Sequence, residues 1–240
     1  MLAGRHSIGA GGAGGAGGGG FEFVGSRTFT DAGSTTTFTV PLTTLTGGIA
    51  SAPRTGDLVV AYIGGSSSNA AAVPLPSGWT ELARVQGFDF RDSDLHVIYK
   101  TMGATPDTGF SIPGGLASSV NSISVAIFVY GGASTAAPVF TTASSDGSAL
   151  CDPPAITPTV SGSVIISGGM AAHTVGDYTF SSSDFDAFIS AGANSSRGST
   201  IGVGRFAWTS GAFNPAEFTF SGSNATSFSW AALSLVIIPA

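Results

Sequence analysis

Gly56-Asp57-Leu58-Val59-Val60-Ala61 returns as Gly162-Ser163-Val164-Ile165-Ile166-Ser167, 106 residues further on. A glycine, a small polar residue and an unbroken apolar run mark a turn feeding a strand buried on both faces. The echo extends outward. Ser77-Gly78-Trp79-Thr80 is answered by Ser183-Asp184-Phe185-Asp186 at the same spacing. Gly103 is answered by Gly211, Phe110-Ser111-Ile112 by Phe218-Thr219-Phe220, and Val125, Ile127 and Val129 by Leu233, Leu235 and Ile237, all 108 residues on. One near-constant offset with a small slip predicts two copies of a single strand plan, about 56–130 and 162–238.

The remaining segments fit that plan. Trp79 to Val85 alternates, the polar tip Asp89 to Asp94 follows, and Leu95 to Lys100 returns, which reads as a hairpin. Phe21 to Val40 reads as a strand pair, and Gly131 to Ser161 as an extended connection rich in Thr, Ser and Pro. Apolar residues nowhere recur at helical spacing, and Gly or Pro interrupts every few residues. The expectation is an all-β chain: residues 21–240 form a single antiparallel β-sandwich built from two duplicated halves, preceded by a Gly-rich arm at 1–20. Each half would cover the other's apolar face about 10 Å away. The expected core between the sheets is Val59, Ile63, Trp79, Ile98, Val125, Ile127, Val129, Ile165, Phe185, Leu233 and Leu235. Loops 64–76, 87–94 and 190–200 would be the contact surface.

Composition narrows the function. Charged residues make up 9% of the 240 residues, against about 25% in an average soluble domain. Gly, Ser, Thr and Ala replace them, giving a polar but uncharged surface suited to a large assembly or an extracellular setting. The net charge is −6 and Lys100 is the single lysine, which argues against nucleic acid and against anionic membranes. No apolar run approaches the ~20 residues of a membrane helix. Met1 to Ile8 leads into glycine rather than an apolar signal core, a pattern that fits release by lysis. Cys151 is the single cysteine, so no intrachain disulfide forms, and it reads as a small apolar filler.

The arm carries Gly9, Gly11, Gly12, Gly14, Gly15, Gly17, Gly18, Gly19 and Gly20. Without side chains, only main-chain hydrogen bonds and close backbone packing can hold it, and fixing each residue costs about 1–2 kcal/mol. The expectation is an anchor that docks on a neighbouring subunit or lies on the axis of a homotrimer. Gly9, Gly11 and Gly14 also spell GxGxxG, but no strand precedes them and no helix follows, so a dinucleotide is not expected.

The series GDLVVAYIGG, PSGWTELARV, HVIYKTMGATPDTGFSI and SISVAIFVYGG, within residues 56–132, resembles a β-sandwich domain of tailed-bacteriophage virion proteins. The likeness extends over roughly residues 26–238. It implies a jelly-roll-like sandwich without catalytic residues, found in tail fibres, tail tips, head fibres and decoration (cement) proteins on the outer surface of the particle. Such a subunit would contact other virion proteins through its arm and take part in host attachment.

The candidates for chemistry are few. The histidines are His6, His96 and His173. His96 alternates with Asp94 on one strand face and reads as a surface pair, short of the three or four ligands a metal needs. Asp89, Asp92 and Asp94 cluster at the hairpin tip, where turn carboxylates could hold calcium or touch a host glycan. Asp184 and Asp186 should face outward around an inward Phe185. Glu22, Glu81 and Glu217 show no partner, and GxSxG and P-loop patterns are absent. Trp79 and Trp230 read as core. Trp208, with Phe213, is the best exposed aromatic pair for stacking on a sugar. The reading is therefore a non-enzymatic virion subunit with no cofactor and no metal. The alternatives are a capsid decoration protein, or a carbohydrate-binding or adhesin module of a bacterial surface.

Overall fold

The computed structural model describes residues 20–31, 37–67, 75–88, 92–113, 120–146, 150–173, 178–194, 198–221 and 229–240. These residues form strands and no helix. The first copy comprises β1 (Glu22–Asp31), β2 (Thr37–Pro41), β3 (Leu58–Ser67), β4 (Thr80–Gly87), β5 (Asp92–Thr101), β6 (Gly109–Pro113) and β7 (Val120–Gly131). The second comprises β8 (Val139–Asp146), β9 (Val164–His173), β10 (Thr179–Ser181), β11 (Ala187–Ala193), β12 (Gly198–Ala207), β13 (Thr219–Ser221) and β14 (Ser229–Ile237).

The pairings are antiparallel, and the two five-stranded sheets share one plan. The first sheet runs β1-β7-β3-β5-β4 and the second β8-β14-β9-β12-β11. The sequence offset carries β3 to β9, β4 to β11, β5 to β12 and β7 to β14, so the strand order is the same in both. Each five-stranded sheet also takes in one strand from outside 56–130 and 162–238, namely β1 and β8. The turn that starts each central strand is duplicated as well. Gly56 has φ 83° and Gly162 φ 78°, the left-handed region that favours glycine. Just beyond them, Asp57 N donates to Arg54 O at 3.1 Å and Ser163 N to Val160 O at 3.3 Å.

The sheets meet face to face. Leu58, Val60, Tyr62, Leu95, Val97, Phe128 and Tyr130 of the first pack on Ile166, Met170, Ile201, Val203, Leu233 and Leu235 of the second. Tyr62 crosses the seam: its hydroxyl, shared between two acceptors, reaches Ile166 O at 3.1 Å and Leu233 O at 3.3 Å. Another stretch of the seam is polar. Ser93 N donates to Ser229 Oγ at 3.0 Å and Ser124 Oγ to Ser199 O at 2.7 Å, so these buried serines find partners across the seam.

Each sheet is also covered on its outer face. In the first copy, β2 pairs with β6, and Phe38, Val40, Phe110 and Ile112 lie over Val59, Ile63, Ile98, Val125, Ile127 and Val129 together with Trp79. In the second, β10 pairs with β13, and Phe180, Phe218 and Cys151 cover Ala171, Trp230 and Ala232, while Ile156 covers Ile165 and Val236. The expected core is thereby corrected. Leu233 and Leu235 lie between the sheets; the other nine belong to the outer faces. A strand buried on both sides reads as a continuous apolar run, so its sequence does not say which parity meets which neighbour. Three further readings change. β1 and β2 do not pair with one another, because β1 joins β7 and β2 joins β6. The connection Gly131 to Ser161 contains β8, a full edge strand of the second sheet. Gly64–Ser67, Asp92–Asp94, Ser190–Ala193 and Gly198–Thr200 belong to strands rather than to contact loops.

Candidate functional site

The densest group of ionisable side chains sits on the outer face of the β4–β5 hairpin. Antiparallel register sets Arg84 opposite His96 and Gln86 opposite Asp94, and a bulge between Glu81 and Ala83 shifts Glu81 relative to β5. Arg84 grips Asp94 with two bonds, Nε to Oδ1 at 2.9 Å and Nη2 to Oδ2 at 2.6 Å. This bidentate, charge-assisted geometry is the strong form of the contact. The Asp94 hydrogen bond holds the Arg84 guanidinium above its ordinary pKa, with burial opposing it. His96 Nε2 lies 2.7 Å from Glu81 Oε2. Asp94 is 3% exposed and His96 1%. His96 Nδ1 and Gln86 Nε2 have no hydrogen-bond partner. The equivalent face of the second copy is different: Gly202 and Gly204 lie there under the rings of Phe180, Phe188 and Phe185. The first copy therefore uses an ion pair and a His96–Glu81 hydrogen bond where the second uses aromatic rings on glycine.

A second polar group lies where β1 meets the turn before β3. Arg54 Nη2 donates to Glu22 Oε1 at 2.6 Å, Arg54 Nε to Asp57 Oδ2 at 3.2 Å, and the Arg54 backbone N to Asp57 Oδ2 at 2.7 Å. Asp57 first, and Glu22 second, raise the Arg54 pKa. These residues, with Thr55, Gly56, Gly131 and Gly132, line a depression of ≈ 420 Å³. In both groups each carboxylate has a guanidinium or imidazole partner. They pin a hairpin and a turn, and their charges are committed to that task.

The structure redistributes the expected contact residues. Asp94 is buried against Arg84, which bonds both of its oxygens, so it is not exposed at the hairpin tip as expected. Asp92 is half-buried at the start of β5, and Asp89 lies outside the described residues. Among the described residues, no group of three or more His, Cys, Asp or Glu side chains converges. His96 is not a surface partner of Asp94 but a buried partner of Glu81. His173 is buried too, with Nε2 at 2.9 Å from Thr200 Oγ1; His6 lies outside the described residues. Trp208 is half-buried rather than free. Its Nε1 donates to Gly211 O at 2.8 Å, and its ring packs on the Ile156–Ile165–Val236 cluster. Phe213 is also half-buried, stacked on Phe206 at 4.4 Å between centroids. Trp79 and Trp230 are core, 6% and 7% exposed. Asp184 and Asp186 flank a half-buried Phe185, and each accepts a main-chain bond, from Ala216 N at 2.6 Å and Ala207 N at 2.7 Å. Gly20 is exposed with open space around it; Gly9, Gly11, Gly12, Gly14, Gly15, Gly17, Gly18 and Gly19 lie outside the described residues. Cys151 is buried, and burial first, then the charge of Asp152, pushes its thiol well above the ordinary value.

Sequence reasoning left Glu22 and Glu81 without partners. Cross-strand pairing across the β4–β5 turn was the available signal for Glu81. For Glu22 no local signal exists, since Arg54 reaches it only after β1 has joined β7. No family model, curated protein or solved structure matches this chain.

Proposed function

We propose that this chain is a non-enzymatic structural subunit of a bacteriophage particle, exposed on its outer surface as a tail-fibre, tail-tip or head-fibre component. In this reading the glycine-rich residues 1–20 anchor it to other virion proteins and the sandwich projects. The two halves together are read as a single jelly-roll-like sandwich. Support comes from nested pairing in the first copy, β1 with β7, β2 with β6 and β3 with β5, which is how a long hairpin rolls up into two layers.

The observation that carries the proposal is where the charges go. Glu22, Arg54 and Asp57, Arg84 and Asp94, Glu81 and His96, and Lys100 and Asp107 are consumed in contacts that tie strands and turns together. What faces outward among the described residues is mostly Ser, Thr, Gly and Ala on a stack of layers with three apolar interfaces, which suits a building element. The resemblance of GDLVVAYIGG and PSGWTELARV to phage virion sandwiches adds the context. Mass spectrometry and antibody-labelled electron microscopy of gradient-purified particles test it. The chain should co-purify and label at the tail or at head fibres; dense, regular labelling of the shell would favour the decoration role, and absence from particles would refute the reading.

A further inference from the structure

The two five-stranded sheets present four edge strands, and the molecule closes three of them itself. On β1, Ser26 N and O exchange bonds with Thr46 O and N, both at 2.9 Å, and Ala50 N reaches Val24 O at 3.1 Å. On β4, the bulge at Glu81 and the charges of Glu81 and Arg84 interrupt the edge. On β11, the Tyr178 carbonyl sits over Gly192, and Phe180 N donates to Ser190 Oγ at 2.9 Å. These are the ordinary protections of a sheet edge. β8 has none of them among the described residues. Its main chain pairs with β14 alone, and its sequence VFTTASSD has no Pro, no Lys and no charge before Asp146. The contrast with β1 is informative because β1 and β8 are the same strand of the repeated plan. The segment after β2 folds back along β1. Its counterpart after Cys151 is drawn over the sheet face instead, where Ile156 exchanges main-chain bonds with Phe213 at 2.9 Å.

The bare edge is also where apolar side chains surface. Val139 is 69% exposed, and Phe140 and Val160 are 39% exposed; Val139 and Val160 line a shared apolar hollow. β8 carries no charge before Asp146, so two copies can lie along it from Val139 to Ser145 without setting like charges opposite each other.

We infer that β8 is a docking edge for the β8 of a second copy, paired antiparallel across a twofold axis at Thr142. In that register Thr142 faces its own copy, Phe140 faces Ser144 of the second copy, and Asp146 falls beyond the paired stretch. The join creates one continuous ten-stranded sheet. It supplies about six to eight main-chain hydrogen bonds, within the usual complement of a specific interface. With one bare edge among the described residues, association through β8 is closed at two. It is independent of the virion reading.

Sedimentation equilibrium of the full chain tests this. The expected species has twice the 23.7 kDa chain mass, and Thr142→Lys, which sets two ammonium groups opposite each other at the axis, should weaken dimerisation at least tenfold. Thr80→Lys on the edge strand β4 is the control and should leave it unchanged. Circular dichroism confirms that both variants keep the strand signal. If Thr142→Lys fails to fold, Ser144→Lys replaces it with the same expected weakening. A monomer at all concentrations, a trimer, or a dimer indifferent to Thr142→Lys and Ser144→Lys would each overturn the inference.

Discussion

A Cβ on Gly204 would lie 2.2 Å from Phe185 Cγ, and one on Gly202 2.6 Å from Phe180 Cβ. The glycines of β12 are therefore sockets for rings, and Gly204→Ala should lower unfolding stability by about 1–3 kcal/mol in urea titrations, as overpacking does. In the first copy the equivalent sensitivity is electrostatic. Arg84→Ala strands the buried Asp94 carboxylate and should cost about 3 kcal/mol or more, while the double replacement with Asp94→Asn should recover part of the loss. The buried thiol and phenol give a pH dependence. Burial raises the pKa of Cys151 and of Tyr62, so the folded chain keeps protons that the unfolded chain releases. Their contribution is intact below about pH 8.5, the unfolded thiol value, and is lost as pH climbs. The urea midpoint should thus fall on moving from neutral to alkaline buffer, and Cys151 should resist thiol reagents until the protein unfolds. A native protein labelled as fast as a free thiol would contradict that placement.

Among the elements, the duplicated turn is the clearest test of common design. Gly56 has open space where a Cβ would stand, and the nearest atom at Gly162 is 3.9 Å away, so alanine at either site meets no obstacle and only the left-handed backbone resists it. Gly56→Ala and Gly162→Ala should each cost about 1 kcal/mol, and in combination the costs should add, because the turns share no partner. This also shows which parts of the fold the sequence makes legible. The repeat, the hairpin Thr80–Thr101, the core positions of Trp79 and Trp230 and the absence of helix among the described residues follow from periodicity and turn residues, which act locally. The assignment of Val59 or Ile165 to an outer face does not, since it depends on which layer a doubly buried strand happens to meet. The same holds for Trp208, whose exposure is decided by Gly211 and Ile156, and for Asp94, whose burial is decided by an arginine ten positions away on the adjoining strand.

For the molecule as a whole, the seam between the sheets sets the cooperativity. Leu58, Val60, Tyr62 and Phe128 are covered by the second copy, so the first copy alone would present that face to water, and a fragment ending at residue 135 should self-associate or fail to fold as a monomer. The full chain should melt in one transition seen identically by tryptophan fluorescence and far-ultraviolet dichroism. Tyr62→Phe removes the hydroxyl that reaches Ile166 O and Leu233 O and should lower that transition by about 0.5–1.5 kcal/mol. One more consequence follows from the pole where β1 starts. Glu22 pairs with Gly131, and Ala240 N donates to Gly132 O at 2.9 Å, so entry and exit of the sandwich are next-door neighbours. A few Gly-Ser residues joining Ala240 to Phe21, with the chain reopened between Thr135 and Ala136, would make a circular permutant that translates β8–β14 before β1–β7. Because both halves follow one blueprint, that rearranged gene should yield the same spectrum and melting curve, which would mean that the succession of the copies in time is free while their arrangement in space is not.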